Sequence, residues 1–313
     1  MKVLIVCSKN SGKIAPFILE QTQALERAGV ELDYFTVVRK GWWGYLKSRK
    51  HLKTKINFFQ PDIIHAHYGL SGLLANLQRQ VPVVTTYHGS DINNPNVFLF
   101  SKICMLLSAH NIFVSEKNKK KATTMSSKGN FKKKKSIIPC GVDTKLFIPT
   151  DKEKSRKLMA LDCTKKYVLF AGAFHDAVKN ASLAQAAVAT FSDIELIELK
   201  GYTREQVSLL MNAVDAVLMT SFTEGSPQII KEALACNCPV VSVPVGDVPY
   251  MIKNINGCYI SSYDPYDVAA KLKLAVSFGK LTDGRKRIVE LSLDNESVAG
   301  RILEVYKGVR SKK

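Results

Sequence analysis

The amino-acid sequence predicts an α/β protein built from two doubly wound domains, each with a parallel β-sheet. Three observations lead to this class. The chain has 313 residues, about the length of two domains of ordinary size. Short apolar runs alternate with amphipathic stretches, a pattern typical of buried parallel strands separated by helices. This alternation also begins twice, once at residue 2 and again at residue 167.

The first half opens with a buried strand over residues 2–8 (KVLIVCS), followed by a polar loop that contains Gly12. A helical stretch over residues 15–28 ends at Gly29, a residue type common just beyond helix C-termini. The remaining predicted elements of this half are strands over 30–38, 62–66, 81–87, 111–115 and 135–138, and a helix over 69–79.

The second half restarts with a strand over residues 167–171 (YVLFA) and a glycine-containing loop. Its further elements are helices over 182–190, 203–212 and 227–235, and strands over 194–199, 216–220 and 239–243. A polar stretch over residues 149–166 predicts the boundary, which gives domains of residues 1–150 and 151–299. Since ligands bind at the carboxyl ends of parallel strands, we expect a site in the cleft between the domains.

The charge of the chain is uneven. The sequence has 45 basic and 27 acidic residues, a net charge of +18, and residues 1–150 carry +15 of it. A basic half predicts an anionic partner: nucleic acid, a membrane surface or a phosphorylated substrate. Seven scattered cysteines, an odd number, predict no disulfide framework and therefore a reducing, cytoplasmic compartment.

Nine lysines lie between residues 117 and 135. Phe131 is the one aromatic residue among them, so the stacking side chains of nucleic-acid-binding segments are missing and we predict no nucleic-acid partner. Two interpretations remain: a solvated surface, or contact with the anionic inner face of the cell membrane. Trp42, Trp43 and Tyr45, beside a second basic cluster, are typical of a membrane interface but equally of a core edge.

Nothing in the sequence predicts a membrane-spanning segment. The apolar run over residues 3–7 is too short for a signal peptide. The longest apolar stretch, residues 97–114, is interrupted by polar residues and a lysine, so it predicts a buried or surface helix that leads into a strand. We therefore expect a cytoplasmic protein that associates at most peripherally with the inner face of the membrane.

The most informative stretch is residues 220–244, TSFTEGSPQIIKEALACNCPVVSVP. Glu224 and Glu232 are eight positions apart and so lie on roughly one side of a helix. Pro227 is favoured in a first helical turn, which leaves the N–H groups of Gly225 and Ser226 at the positive helix end, where a diphosphate binds. Glu232 could accept hydrogen bonds from a ribose diol. The alternative is a capped helix with two solvated acids.

This stretch closely resembles the donor-sugar motif of the family 4 glycosyltransferases. These are retaining enzymes that use nucleotide-sugar donors and have the GT-B fold, two Rossmann-like domains facing a cleft. Four more stretches are similar to family landmarks, in family order: PDIIHAHYG (61–69), TYHGSD (86–91), IIPCGVDTKLFIP (137–149) and FAGAF…VKN (170–180). The resemblance implies that Glu224 contacts the donor sugar and that Glu232 binds the ribose. The diphosphate would contact the residues that follow Glu224: Gly225, Ser226 and Pro227.

The resemblance also assigns residues around the donor phosphates. Lys179 stands where the family has a phosphate-binding lysine, and Asn180 beside it belongs to the same donor-binding set. Where the family has a phosphate-binding arginine, this sequence has Ala173, so one bidentate guanidinium is missing. His175 or a residue of the first domain would have to compensate.

The residues implied for catalysis are His88, Lys179 and Glu224. His88 stands at the end of a predicted strand and would face the donor sugar from the first domain. Asp91 would orient an acceptor hydroxyl. Gly12, in the first loop, would approach the phosphates and the acceptor.

Neither a metal nor a cofactor is predicted beyond the nucleotide-sugar donor itself. The sequence lacks the Asp-x-Asp motif of metal-dependent transferases, and His65 and His67, which share a strand face, have no third ligand in sight. The resemblance implies a metal-independent hexosyltransferase acting on a lipid-linked glycan in cell-surface polysaccharide biosynthesis. The alternatives are an epimerase-type or a catalytically inactive sugar-nucleotide-binding protein of the same fold. A terminal helix, about residues 300–313, is expected to cross back onto the first domain.

Overall fold

The computed structural model describes residues 1–10, 12–38, 41–124 and 134–311, except for the side chain of Trp42. The chain divides into two compact units, Met1–Gly141 with Asn295–Lys313, and Val142–Asp294. The division falls before the polar stretch 149–166 in which the sequence places it, and the return to the first unit begins at Asn295 rather than near residue 300.

The first unit contains a six-stranded parallel sheet in the order β2-β1-β3-β4-β5-β6. Its strands are β1 (Lys2–Ser8), β2 (Glu31–Val37), β3 (Ile63–His67), β4 (Val83–Tyr87), β5 (His110–Phe113) and β6 (Lys134–Ile137). The helices between them are α1 (Pro16–Arg27), α2 (Gly41–Lys47), α3 (Arg49–Phe59), α4 (Gly69–Asn76), α5 (Ser90–Asn93), α6 (Pro95–Leu107) and α7 (Glu116–Thr124). Every strand predicted for this half is confirmed.

The second unit contains a five-stranded parallel sheet in the order β11-β10-β9-β7-β8. Its strands are β7 (Lys166–Phe170), β8 (Ile194–Glu198), β9 (Ala216–Met219), β10 (Val240–Ser242) and β11 (Cys258–Ile260). Its helices are α8 (Lys152–Leu158), α9 (Ala181–Val188), α10 (Arg204–Ala213), α11 (Gln228–Ala235), α12 (Val248–Met251), α13 (Pro265–Ser277) and α14 (Gly284–Glu290). Two doubly wound parallel sheets confirm the predicted fold class. The chain ends with α15 (Asn295–Arg310).

Residues 142–158 belong to the second unit because side chains of that unit hold them. Ser208 Oγ on α10 donates a hydrogen bond to the carbonyl oxygen of Leu146 at 2.7 Å. Arg156 on α8 forms an ion pair of 2.9 Å with Asp215, just before β9. These polar contacts anchor the stretch to the second unit. Its polar composition resembles that of a linker, although its residues are bonded to the second unit.

Two helices that the sequence did not reveal, α2 and α3, occupy the region of the two tryptophans. Leu52 and Ile56 of α3 are four residues apart, a helical spacing, and are buried in one core cluster with Tyr45 of α2. Trp43, in contrast, is 65% exposed. Tyr45 thus follows the core-edge interpretation, whereas Trp43 faces solvent.

The terminal helix α15 completes the core of the first unit. Val298, Ile302 and Tyr306 lie on one face of the helix and are buried in a cluster with Ile5 of β1 and Leu25 of α1. The end of the chain therefore packs beside its beginning.

The apolar stretch 97–114 forms most of α6 and the strand β5. Its helix is amphipathic at the surface: Phe98 and Met105 are buried, while Leu99 and Leu106 are exposed. Within the described ranges, no helix is both long enough and apolar enough to span a bilayer.

Candidate active site

Apart from Gly12, the predicted donor-binding residues lie at the carboxyl edge of the sheet in the second unit. The segment after β7 supplies Lys179 and Asn180, and the segment after β9 supplies residues 224–227. Because β7 and β9 pair in parallel, the two segments leave the sheet side by side. Glu232 follows on α11, so the residues that the sequence assigns to the donor come together here.

Lys179 and Glu224 form an ion pair in which Nζ lies 2.7 Å from Oε1. The backbone at Lys179 is fastened by Thr220, whose hydroxyl lies 2.9 Å from the carbonyl oxygens of Lys179 and Asn180. Asn180 has a left-handed backbone, with φ of 54°, where the chain turns into α9. Gly172 leaves room for the lysine stem, because a Cβ there would lie 2.6 Å from Lys179 Cγ.

The turn Gly225–Pro227 leads into α11, whose first residue is Gln228. Gly246 approaches this turn closely: its φ is +58°, and a Cβ there would lie 2.9 Å from the carbonyl oxygen of Gly225. Pro227 is the N-cap rather than the first-turn residue that the sequence suggested. The first N–H groups of a helix lack partners within it, so this turn presents donors and a positive dipole end to an anion.

Glu232 is 3% exposed, and its Oε1 lies 2.8 Å from Nη1 of Arg204, the first residue of α10. The Arg204 guanidinium stacks on the ring of Phe147, 4.7 Å from its centroid. Burial raises the pKa of Glu232, and Arg204 opposes that rise. Sequence reasoning missed Arg204, although Thr203 and Gln206 form a capping box that fixes the start of α10 at this edge.

The loop after β7 has no guanidinium, because Ala173 stands at the family's arginine position. His175, one of the expected substitutes, is exposed. Two cations at this edge, Lys179 and Arg204, are each paired with one of the predicted donor-site glutamates.

In the first unit, His88 follows β4 and lies among aromatic rings. The ring centroids of Phe17, Tyr68 and His67 are 4.9, 4.6 and 5.2 Å from that of His88. His88 Nε2 lies 3.0 Å from His67 Nδ1, and its Nδ1 lies 3.6 Å from Sγ of Cys140. Burial lowers the pKa of His67 to about 3, so His67 is neutral at pH 7. The ring of His88 is therefore held in a defined orientation.

Asp91 is buried beneath the turn that carries His88. Its Oδ1 accepts hydrogen bonds from the N–H groups of His88 and Gly89 at 3.1 and 3.0 Å, and its Oδ2 accepts one from Gly69 at 3.1 Å. Burial nevertheless raises the pKa of Asp91 to about 6. The carboxyl group thus shapes this turn through its backbone contacts.

A cavity of about 450 Å³ opens beside the same turn. Its polar lining comprises Ser8, Asn10, Lys13, Ser90, Asp91 and Asn94. Gly12 lies in the adjoining loop with φ of +86°, a conformation that favours glycine, and its N–H donates to the Lys9 carbonyl at 3.0 Å. The structure thus places Gly12, His88 and Asp91 on the first unit and the other predicted site residues on the second.

In the part of the chain that the structure describes, no three His, Cys, Asp or Glu residues lie close enough together to bind a metal ion. His65, which shares a strand face with His67, instead contacts the Tyr306 hydroxyl at 2.6 Å and Thr86 Oγ1 at 2.8 Å.

The family of the chain follows from comparison with known proteins. A model described as Glycosyltransferase Family 4 matches residues 2–146, and one described as Glycosyl transferases group 1 matches residues 178–277. The chain belongs to the family 4 glycosyltransferases. The first model contains the motifs at 61–69 and 86–91, and the second contains the stretch 220–244.

Curated relatives of this family 4 chain are similar at low identity. A D-inositol 3-phosphate glycosyltransferase of Mycobacterium marinum is 24% identical in an alignment of 256 residues that covers 67% of this chain and 54% of that protein. TuaC of Bacillus subtilis, a glycosyltransferase assigned to teichuronic acid biosynthesis, is 25% identical in an alignment of 216 residues that covers 60% of this chain and 54% of that protein. The chain thus spans little more than half the length of these relatives.

Solved structures establish the GT-B fold for this family 4 chain. Sucrose-phosphate synthase from Thermosynechococcus elongatus superimposes with a TM-score of 0.84 at 18% identity, covering 100% of this chain and 99% of that one. HepE from Anabaena, in complex with UDP, gives 0.76 at 15% identity, covering 98% and 100%. Starch synthase IV from Arabidopsis thaliana, bound to ADP and acarbose, gives 0.76 at 12% identity, covering 99% of each chain.

Proposed function

We propose that this chain is a retaining glycosyltransferase that moves a sugar from a nucleotide-diphosphate-sugar donor to a lipid-linked glycan in cell-surface polysaccharide biosynthesis. The observation that carries the proposal is the grouping of Lys179, Glu224, the turn 225–227 and Glu232 at one edge of the second sheet. The structures of HepE with UDP and of starch synthase IV with ADP support a nucleoside diphosphate as part of the donor.

Each part of this edge has a role toward the donor. The start of α11 offers N–H groups and a positive dipole end to the diphosphate. Glu232 accepts hydrogen bonds from the ribose hydroxyls, and Glu224 accepts them from hydroxyls of the sugar. Lys179, held 2.7 Å from Glu224, supplies a full positive charge next to the departing diphosphate.

The proposed chemistry is electrostatic. As the bond between the sugar and the diphosphate breaks, negative charge grows on the leaving oxygen, and Lys179 together with the start of α11 stabilises it. Attack by the acceptor hydroxyl on the same face as the leaving group retains the anomeric configuration, and the hydroxyl proton passes to the departing diphosphate oxygen. His88, with its ring held by His67 and Cys140, contributes a fixed hydrogen-bonding group toward the sugar. Neither a metal ion nor a further cofactor takes part in this scheme.

The first unit is proposed to bind the acceptor. Its cavity of about 450 Å³ combines polar side chains such as Asn10 and Asn94 with apolar ones such as Leu70 and Val97. The charge of +15 on residues 1–150 suits an acceptor carried by a lipid in an anionic cytoplasmic leaflet, which implies peripheral association with the inner face of the membrane. The name of TuaC, which concerns teichuronic acid, supports a polysaccharide product.

A transfer assay tests the proposal. The purified protein is incubated with labelled UDP-, GDP- or ADP-hexoses and a bacterial membrane lipid extract, with and without EDTA. We expect label from one donor to enter the lipid fraction at a rate that EDTA leaves unchanged. The Lys179→Ala variant should show no transfer. Absence of both transfer and hydrolysis with every donor would contradict the proposal.

Ala173 favours a second candidate, a catalytically inactive or epimerase-type sugar-nucleotide-binding protein, because one phosphate-binding guanidinium is missing. The same assay separates the two candidates. An inactive protein binds a nucleotide sugar without hydrolysing or transferring it, whereas an epimerase changes the configuration of the sugar and leaves it attached to its nucleotide.

A further inference from the structure

Arg204 has a distinctive position beside the carboxylate that the proposed function assigns to the ribose. Its Nη1 lies 2.8 Å from Oε1 of Glu232, and its guanidinium stacks on the ring of Phe147. The side chain of Arg204 is 26% exposed, whereas that of Glu232 is 3% exposed. Arg204 is therefore partly exposed at the carboxyl edge of the sheet while its guanidinium contacts a buried carboxylate.

The ring beneath Arg204 is itself fixed. Phe147 is fully buried, and its carbonyl oxygen accepts a hydrogen bond of 2.8 Å from Nη1 of Arg285. Arg285 Nη1 also lies 3.1 Å from the carbonyl oxygen of Ala235, at the end of α11. The platform for Arg204 is thus tied to the helix that carries Glu232. A planar guanidinium on such a platform is preorganised to hold a carboxylate.

The other charged and titratable groups around Glu232 are few in the described structure. Lys231 precedes it on α11 and is fully buried, and it lowers the pKa of Glu232 less than Arg204 does. Cys236 lies one turn further on, with a thiol pKa that burial raises to about 12, so it is neutral. Arg285 comes from α14 and contacts carbonyl oxygens. Arg204 is therefore the stronger of the two cations that oppose the burial cost of the carboxylate.

We infer that Arg204 is a positioning residue for ribose recognition, in that it orients the Glu232 carboxylate as the acceptor of the two ribose hydroxyls. The guanidinium lies 2.8 Å from one carboxylate oxygen, Oε1, and the inference assigns the other oxygen, Oε2, to the ribose diol. Its positive charge also opposes the rise that burial causes in the pKa of Glu232, and a charged acceptor forms the stronger hydrogen bonds. This inference rests on the proposed donor site and deepens it.

The test compares UDP, GDP and ADP with their 2′,3′-dideoxy counterparts by titration calorimetry over about pH 6 to about pH 9. The wild-type protein should bind one nucleoside diphosphate about 10- to 100-fold more tightly than its dideoxy form, the range expected for hydrogen bonds to a charged group. This preference should vary little with pH.

Arg204→Met should lose most of the ribose preference near neutral pH. Without the guanidinium the pKa of Glu232 rises further, so the carboxyl group should be protonated at the lower pH values of the titration and ionise as the pH increases. The preference for the ribose hydroxyls should return with the ionised carboxylate. Arg204→Lys keeps a positive charge but loses the planar fork, so it should show an intermediate preference with a flat pH profile. A purely structural role for Arg204 would change neither the ribose preference nor its pH dependence.

Two controls isolate the effect. Arg287 is matched to Arg204, since it stacks on Tyr250 at 5.3 Å and pairs at 3.4 Å with Glu290, a carboxylate that is not assigned to the donor. Arg287→Met should therefore bind like the wild-type protein. Arg204→Met combined with Glu232→Gln should bind like Glu232→Gln by itself, because the arginine acts through that carboxylate.

The outcomes separate this inference from the function on which it rests. An Arg204→Met protein with the wild-type ribose preference at every pH would overturn the inference and leave the proposed function standing. A wild-type protein that binds no nucleoside diphosphate would overturn the proposed function, and the inference with it. Should Arg204→Met fail to fold, Arg204→Gln, which keeps a polar side chain, provides the same comparison.

Discussion

Gly172 lies directly against the stem of Lys179, the residue proposed to stabilise the leaving diphosphate. A Cβ at position 172 would lie 2.6 Å from Lys179 Cγ and 3.2 Å from its Cβ, so Gly172→Ala must shift the stem of the lysine that pairs with Glu224. We expect turnover in the transfer assay to fall about tenfold or more, a loss of roughly 1.4 kcal/mol or more of transition-state stabilisation. Gly300→Ala, where a Cβ meets nothing within 4 Å, is the matched control. Full turnover in Gly172→Ala would contradict this placement.

The buried carboxyl group of Asp91 predicts a pH-dependent stability. Burial raises its pKa from 3.8 to about 6, so its contribution to stability is complete below the unfolded-state pKa and is lost as the pH rises through about 6. Relative to Asp91→Asn, the wild-type free energy of unfolding should fall by about 3 kcal/mol between about pH 4 and about pH 7. Urea unfolding of both proteins at several pH values measures this change. A difference in unfolding free energy that does not vary with pH would refute the raised pKa of Asp91.

The two glutamates of the donor motif show what the sequence could reveal about single residues. Their spacing and the turn between them predicted one shared edge, and both lie there. The partners of these carboxylates could not be predicted, because Lys179 and Arg204 belong to segments that follow other strands of the sheet. The spacing of Glu224 and Glu232 carries no information about which distant side chain neutralises each carboxylate.

Among the elements, α15 makes a buried hydrogen bond to β3. The hydroxyl of Tyr306 lies 2.6 Å from Nδ1 of His65 on β3, and both side chains are fully buried. Tyr306→Phe leaves the ring in place but removes the partner of a buried nitrogen, which should cost about 1–3 kcal/mol of unfolding free energy. Tyr266→Phe, at a 76% exposed position, is the control. Equal stability of both variants in urea unfolding would show that the bond is not formed.

The central strands β1, β7 and β9 were predictable because their runs are apolar on both faces, which few other elements require. The helices α2 and α3 were missed because their basic residues and tryptophans suggested a membrane interface. The helical spacing of Leu52 and Ile56, which are buried with Tyr45, was the available signal. The boundary was misplaced because polar residues in the stretch 149–166 bond to α10 and to Asp215 instead of forming a linker.

For the whole molecule, the uneven charge predicts salt-dependent binding to anionic vesicles. Lys117 and Lys120 are exposed on α7, whereas Lys128, Lys132 and Lys133 lie outside the described residues. Replacing the two α7 lysines with glutamine should weaken binding to anionic vesicles, since each lysine near an anionic surface contributes about 1 kcal/mol. Sedimentation with vesicles at low and high salt measures this.

The control for vesicle binding replaces two exposed lysines of the second unit, Lys253 and Lys280, with glutamine. This variant should keep wild-type affinity for the vesicles, and both variants should keep wild-type nucleotide affinity. Equal partitioning of the wild-type protein onto neutral and anionic vesicles, or onto neither, would refute the membrane proposal.

The central claim, that the carboxyl edge of the second sheet binds the nucleotide of a sugar donor, is tested most directly by calorimetric titration of UDP, GDP and ADP into the wild-type protein and Glu232→Ala. We expect one of the three to bind the wild-type protein, with or without EDTA. Its affinity for Glu232→Ala should be lower by roughly 1.5–3 kcal/mol, the contribution of hydrogen bonds to a charged group. Equal affinity of the two proteins, or no binding of any nucleotide to the wild-type protein, would contradict the claim.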